Sequence, residues 1–406
     1  MKQTQDFTQS TISNVIFYKY LVQWFCLLVF VNACGTESQT LVELENQEED
    51  LRQLLKVPPH FSLPRIPEFN IPTAEKINLG KHLFYDTRLS GNESQSCNSC
   101  HFQALAFADD VTQPRGSTGD ILVRNSQGLA NAMYHATFTW ASDSFLDLEN
   151  QLQVPIRSTN PIELGVTETV VDEVLARFDS DPLYAEMFRQ AFPDSEPGAT
   201  INKIIHALAS FLRTLISGAS AYDQYLLGDE NALTAQQLQG LAIFNGEKFE
   251  CFHCHSGINF STSYRDNTSN PDTQIFPFFN NGLYNVNGTG DYPSIDQGLF
   301  DLTQKSHHRG FFRPQSLRNV AVTAPYMHDG SIETLREVIE HYARGGRLVE
   351  TGLYAGDGAL SPLKSGFIRG FDATDEEIEA VIAFLESLTD HEFLTNPAHS
   401  NPFNEE

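Results

Sequence analysis

The chain has 406 residues, enough for two domains with separate cores, and 41% of them are hydrophobic, as expected of a globular protein. Asp and Glu outnumber Lys and Arg by 52 to 26, a formal charge of -26. Phosphate binding needs a basic surface, so this balance argues against nucleic acid and favours a basic protein, or a basic patch on one, as partner.

In chain order, the first element is an apolar run, "YLVQWFCLLVFVNAC" at 20–34, preceded by Lys2 and Lys19. Small Ala33 stands before Cys34, a pattern similar to a bacterial lipoprotein signal in which Cys34 becomes the lipidated first residue. About 14 apolar residues is short for an uncleaved membrane span. Residues 1–33 are therefore expected to be a signal peptide, and Cys34 a lipid anchor on a periplasmic protein. The polar, acidic stretch 34–57, with "ELENQEED", reads as a solvated linker.

"TAEKINLGKHLFYDTRLS" has helical spacing and leads into "CNSCH", residues 97–101. "TVVDEVLARF" and "INKIIHALASFLRTLI" read as amphipathic helices. "TAQQLQGLAIFNGEKFE" opens on a capping box, Thr234 with Gln237, and leads into "CFHCH", residues 251–255. A last helix is predicted from Thr374, boxed by Glu377, to about Leu388. Long loops rich in Gly, Pro and Asn join these elements, notably 261–300. One plan of helix, short loop and CxxCH is thus used twice. The predicted fold is mostly α: two cytochrome c-like haem domains, 58–225 and 226–392, joined near "YDQYLLGDENA" and followed by a tail, 393–406.

CxxCH is the pattern of c-type haem attachment. Two thiols add to the two vinyl groups, and the adjacent histidine faces the iron. Cys97, Cys100 and His101 would hold one haem, and Cys251, Cys254 and His255 the other. A four-cysteine zinc site would have to span residues 101–250 between its pairs, whereas zinc ligands come from nearer in sequence. A redox dithiol would need a βαβ context that the pattern lacks. A haem with two protein ligands carries electrons, whereas one with an open side can bind peroxide. In "SIETLREVIEHYARGG", Leu335, Val338, Ile339 and Tyr342 share one helical face, His341 points elsewhere, and Gly345 and Gly346 end the helix. Spacing alone makes Tyr342 a core tyrosine.

The stretch "FRPQSLRNVAVTAPYMHDGSIETLREVIEHYARGG" resembles the C-terminal signature of the bacterial di-haem cytochrome c peroxidase and MauG superfamily. In the peroxidases a methionine fourteen residues after the "HDG" histidine binds the electron-transfer haem, and in MauG-like members a tyrosine does. Here His328 plus fourteen is Tyr342, so the resemblance implies Tyr342 as second ligand of the His255 haem. Many peroxidases carry a histidine in the loop after the first CxxCH. The matching "QPRGSTGDILVRNS" has none, and Ser117 stands at its position, which implies an open haem held by His101.

The resemblance implies further roles. Glu163 in "NPIELG" matches the acid-base glutamate of the peroxidatic domain, Gln151 the distal glutamine, and Trp140 in "HATFTW" the tryptophan between the haems. Asn125, with the carbonyls of Thr323 and Pro325, matches the protein ligands of a calcium ion. "LGKHLFYDTRLSGNESQSCNSCH", "ATFTWAS", "FLRTLISGASAYDQYLLG" and "AVTAPYMHDGS" look like MbnH-type enzymes, associated with methanobactin and copper-handling proteins. That likeness implies an exported enzyme that uses hydrogen peroxide to reach a high-valent di-haem state. It would then oxidise tryptophan to kynurenine on a partner, such as a copper-binding MbnP-like protein. The rival expectations are a peroxidase fed by a small cytochrome, a simple electron carrier, and a zinc-stabilised binding module.

Overall fold

The apolar stripes of the sequence become helices, described by a computed structural model for residues 46–270 and 276–404. The signal-like run and Cys34 lie outside the described residues. Residues 46–55, inside the segment read as a linker, are helical. The remaining helices are α1 (Ala74–Tyr85), α2 (Leu148–Arg157), α3 (Val171–Asp179), α4 (Pro182–Ala191), α5 (Ile201–Leu212), α6 (Ala221–Leu226), α7 (Ala235–Phe244), α8 (Phe300–Thr303), α9 (Leu335–Arg344), α10 (Asp375–Glu386) and α11 (His391–Thr395). Among the described residues the paired strands are β1 (Leu348–Val349) and β2 (Gly356–Asp357), antiparallel. The fold is mostly α, as predicted.

Local chemistry sets the helix starts. The Thr73 hydroxyl accepts from Lys76 N at the head of α1. Reciprocal capping boxes open α7 (Thr234 with Gln237), α9 (Thr334 with Glu337) and α10 (Thr374 with Glu377). Each satisfies two backbone donors that the first helical turn leaves unpaired. α10 ends at Glu386, slightly short of the predicted Leu388.

Two helix pairs repeat one plan. α1 packs on α5, and α7 packs on α10. In each, a glycine lets one backbone touch the other. A Cβ on Gly80 would stand 2.0 Å from Ala207 O, and one on Gly240 would stand 1.9 Å from Ala380 O. Four residues further on, Phe211 and Phe384 close over the same glycines. Phe84 lies edge-on to Phe211 and Phe107 in the first core, and Phe244 and Phe260 pack on Phe384 in the second. Burial of each such ring contributes roughly 1.5–3 kcal/mol. α1 then delivers the chain to the first pentad and α7 to the second.

Two features depart from the sequence reading. His341 was expected to point away from the buried face of α9, yet it is buried along with Leu335 and Ile339, its Nε2 3.0 Å from Asn281 O. The 278–285 loop covers that second side of α9, a contact that helical periodicity does not register. Residues 393–404 are packed rather than trailing: Tyr85 donates to His399 O, Gln103 donates to the Phe393 and Asn396 carbonyls, and Phe393 lies against Phe107.

Candidate functional site

Both pentads wind into a single 3-10 turn, Cys97–Ser99 and Cys251–His253, closed by Cys100 N to Cys97 O and Cys254 N to Cys251 O at 3.2 Å each. The turn puts both sulfurs and the following imidazole on one side. Each histidine is then fixed by a carbonyl on Nδ1. His101 reaches Phe107 O at 2.6 Å, and His255 reaches Phe260 O and Gln315 O at 3.1 Å. With the Nδ1 proton donated to a carbonyl, the Nε2 lone pair is available to a metal. Burial lowers both imidazole pKa values, which keeps the rings neutral and ligating.

Each pentad opens into its own cavity. Cys97, Cys100 and His101 line one of about 450 Å³. Cys251, Cys254 and His255 line one of about 270 Å³. The two cysteine pairs therefore do not meet, which removes the shared zinc site. Burial pushes all four thiols up to about 12, the reverse of what an active dithiol needs. Paired thiols, a neutral histidine and mostly apolar walls fit a haem bound through two thioethers and an axial nitrogen.

The two residues expected in the distal pocket, Glu163 and Gln151, line the same cavity as His101. Glu163, on the loop after α2, lines this cavity, and burial raises its carboxyl to about 7. Gln151, on α2, lines it too, and its Oε1 is buried with no hydrogen-bond partner. Ser117 is not on this wall. Its N donates to Glu163 O, and its carbonyl accepts from Asn92 and Ser94, so residue 117 is pinned by its backbone while Pro114, Arg115 and Gly116 of the same loop line the cavity. His101 and His135 are the histidines lining this cavity, and His135 lines the other as well.

The wall facing His255 is different. Tyr342 lines this cavity from α9 together with Met327. Burial, helped by the Cys254 thiol, holds its phenol well above the usual range, and a hydrogen bond from the Asn281 side chain pulls it back. The Asn281 amide also donates to Met327 Sδ at 3.3 Å, so one side chain positions both groups. His328 of "HDG" is buried, stacked on Phe312 at 3.8 Å, and its carbonyl accepts from Asn125 N.

Trp140 stands in the wall common to both cavities, its Nε1 donating to Asn125 O at 2.8 Å. Asn125 lines both as well, with its Nδ2 occupied by the carbonyls of Val111 and Thr112, so that Oδ1 is the atom it could offer a cation. Thr323 and Pro325 line the His255 side of the same region. Sequence reasoning missed three residues here: His135 and Arg313, which line both cavities, and Gln315, which lines the His255 cavity. Each is a polar side chain on a loop with no motif spacing. The one usable signal was an arginine inside the otherwise apolar "FFRP".

Comparison with known proteins agrees with this geometry. Residues 74–231 match the di-haem cytochrome c peroxidase family. The chain is 35% identical to the cytochrome-c peroxidase IdrP1 of Pseudomonas sp. (strain SCT), over 85% of this chain and 88% of that one. It is 34% identical to the methylamine utilization protein MauG of Methylorubrum extorquens, over 79% and 80%. The crystal structure of a MauG-like protein associated with microbial copper homeostasis superimposes with a TM-score of 0.83 at 42% identity, over 86% of this chain and 98% of that one. The chain belongs to the di-haem cytochrome c peroxidase and MauG family of peroxide-dependent oxidoreductases.

Proposed function

We propose that this protein is an exported, MbnH-like enzyme that uses hydrogen peroxide to oxidise tryptophan to kynurenine on a partner protein, with a small copper-binding MbnP-like protein as the partner. The observation that carries the reading is the phenol of Tyr342 on the cavity wall of His255. A phenolate is an anionic donor that favours ferric and higher iron, which suits storage of oxidising equivalents better than uptake of electrons from a cytochrome. The 42%-identical MauG-like protein, with its link to copper homeostasis, supports the choice of partner.

The residues divide the work. Haem, when bound, would supply iron able to take two oxidising equivalents from peroxide. Glu163, poised near neutral pH by burial, takes the proton from one peroxide oxygen and returns it to the other, which leaves as water. Gln151 lines the same space, and its Oε1, which has no protein partner, is the hydrogen-bond acceptor assigned to it. His101 is the protein ligand on this side, and His255 with Tyr342 hold the other. Trp140 relays holes between the cavities. Asn125 Oδ1 with the carbonyls of Thr323 and Pro325 would hold calcium. Because Asn125 O also accepts from the Trp140 indole, that ion would fix the tryptophan. The haem domains are assigned to 58–225 and 226–392, and Cys34 to a lipid anchor at the periplasmic membrane surface. Among the described residues no helix is long and apolar enough to cross a membrane.

The test is addition of peroxide to the enzyme and its candidate partner, with mass analysis of the partner's tryptophan peptides. Oxidised tryptophan is expected. A partner left unmodified, with steady turnover of reduced small cytochrome instead, would establish the peroxidase reading. That second reading draws its support from the 35% identity to a cytochrome-c peroxidase, beside 34% to MauG.

A further inference from the structure

Arg313 is a buried cation without an anion. It is 2% exposed, and among the described residues no carboxylate pairs with it. Its N and Nε donate to the carbonyls of Trp140 (2.8 Å) and Thr139 (2.9 Å). Its Nη2 donates to Gln315 Oε1 at 3.0 Å and to Gln127 Oε1. Its Nη1 is buried and has no partner. A guanidinium cannot shed its charge by deprotonation, so an uncompensated one in the interior is strongly unfavourable.

Gln315 has the same unmet donor from the other side. Its Oε1 is taken by Arg313, its carbonyl accepts from His255 Nδ1 at 3.1 Å, and its Nε2 is buried without a partner. Both residues line the His255 cavity. The neighbours do not supply an anion. The Gln127 oxygen is already bonded to Arg313. His135 has a buried, unpartnered Nδ1 of its own, and burial together with Arg313 holds it neutral. Burial also lowers the Arg313 pKa to about 9, as expected of a cation enclosed away from any carboxylate.

We propose that Arg313 Nη1 and Gln315 Nε2 jointly hold one carboxylate, a propionate of the haem anchored at Cys251 and Cys254. The site rests on the two-haem reading, because haem is the carboxylate-bearing group that this cavity's thiols and histidine are built to receive. It makes Gln315 a double contact. Its backbone orients the axial histidine, and its side chain holds the opposite charge of the same cofactor. It also ties that charge to the Thr139–Trp140 backbone through Arg313, so the propionate and the tryptophan between the cavities are held by one side chain.

The test uses the holoprotein and its Arg313→Gln, Arg313→Lys and Gln315→Leu variants. Covalent haem is counted by pyridine haemochrome, propionate bending bands are read by resonance Raman, and the six-coordinate haem is titrated for its midpoint potential. Arg313→Gln is expected to keep two haems, shift a propionate band and lower the potential. Arg313→Lys should recover the potential but not the band, since it restores charge without the fork. Gln315→Leu should shift the band with a smaller change in potential. Unchanged band and potential in a two-haem Arg313→Gln protein would overturn the proposal. So would a wild-type potential that follows added chloride or formate, which would make the counter-ion a solvent anion. If Arg313→Gln does not fold, an unchanged band in Gln315→Leu is decisive against the site. Fewer than two haems in the wild type would instead overturn the underlying two-haem reading, and this site with it.

Discussion

The His101 and His255 cavities begin from the same five-residue device and end in opposite chemistry. Their near walls match in the 3-10 turn, the two buried thiols and the carbonyl holding Nδ1. Their far walls do not. In the His101 cavity stand a carboxyl raised to about 7, able to titrate near neutral pH, and an amide oxygen without a hydrogen-bond partner. In the His255 cavity stands a phenol positioned by Asn281, the group proposed to ligate. The pentad decides where a haem sits. The wall contributed from far away in sequence would decide whether its second face is open.

The comparison is broken most completely by removing one anchor at a time. Paired Cys→Ala changes at Cys97 and Cys100, or at Cys251 and Cys254, should each halve the covalent haem measured as pyridine haemochrome and abolish peroxide-driven oxidation. The residual ferric spectra should differ. The first variant should keep a low-spin signal from the His255–Tyr342 haem, and the second a high-spin signal from the His101 haem. Identical residual spectra would show that the two far walls are equivalent.

Next in size is the ligating wall. Tyr342→Phe keeps the ring in its pocket and deletes the oxygen. It should convert the low-spin ferric signal in electron paramagnetic resonance to high-spin and remove partner oxidation, while haem content stays at two. A low-spin signal that survives would point to the neighbouring Met327, which Asn281 also holds.

The proton-handling wall comes third. Glu163→Gln should lower kcat/KM for peroxide by about 10²–10⁴, the usual contribution of a positioned acid-base group. The wild-type pH profile should have a defined sign. Burial raises the carboxyl from 4.5 to about 7, and only the carboxylate can accept a peroxide proton, so the rate should rise with pH through about 7 and level off above it. Glu163→Gln should flatten that limb. A limb that persists in the variant would assign the titration to another group.

Much of this was legible where the chemistry is contiguous in sequence. CxxCH carries its ligands within five residues, and the boxes at Thr234 and Thr374 carry both partners within one helical turn. Tyr342 could be placed on a helical face by periodicity, though its role came only through the resemblance. Features made by distant loops were hidden. His341 was read as pointing elsewhere because the loop that covers it begins some sixty residues earlier in the chain. Arg313 and Gln315 gained meaning only when "FRPQ" folded against both cavities. Gly80 and Gly240 carry a signal that periodicity passes over: each sits inside a helix, where glycine is unfavourable, and each marks a backbone-to-backbone crossing.

The smallest expected effect tests how far sequence position can stand in for spatial position. Ser117 stands where many relatives by resemblance carry a ligand histidine, so on sequence alone Ser117→His should close the His101 cavity. The structure argues otherwise. Residue 117 is absent from the cavity wall, its N is bonded to Glu163 O, and its carbonyl is held by Asn92 and Ser94. To swing the residue-117 backbone into the cavity those bonds would have to break, and one of them holds the carbonyl of Glu163. Ser117→His should therefore retain the high-spin ferric signal and most of the peroxide reactivity. Conversion to a low-spin spectrum would show that the loop bonds are weak enough to exchange for a histidine–iron bond. The openness of this cavity would then rest on the missing imidazole rather than on the fold that surrounds it.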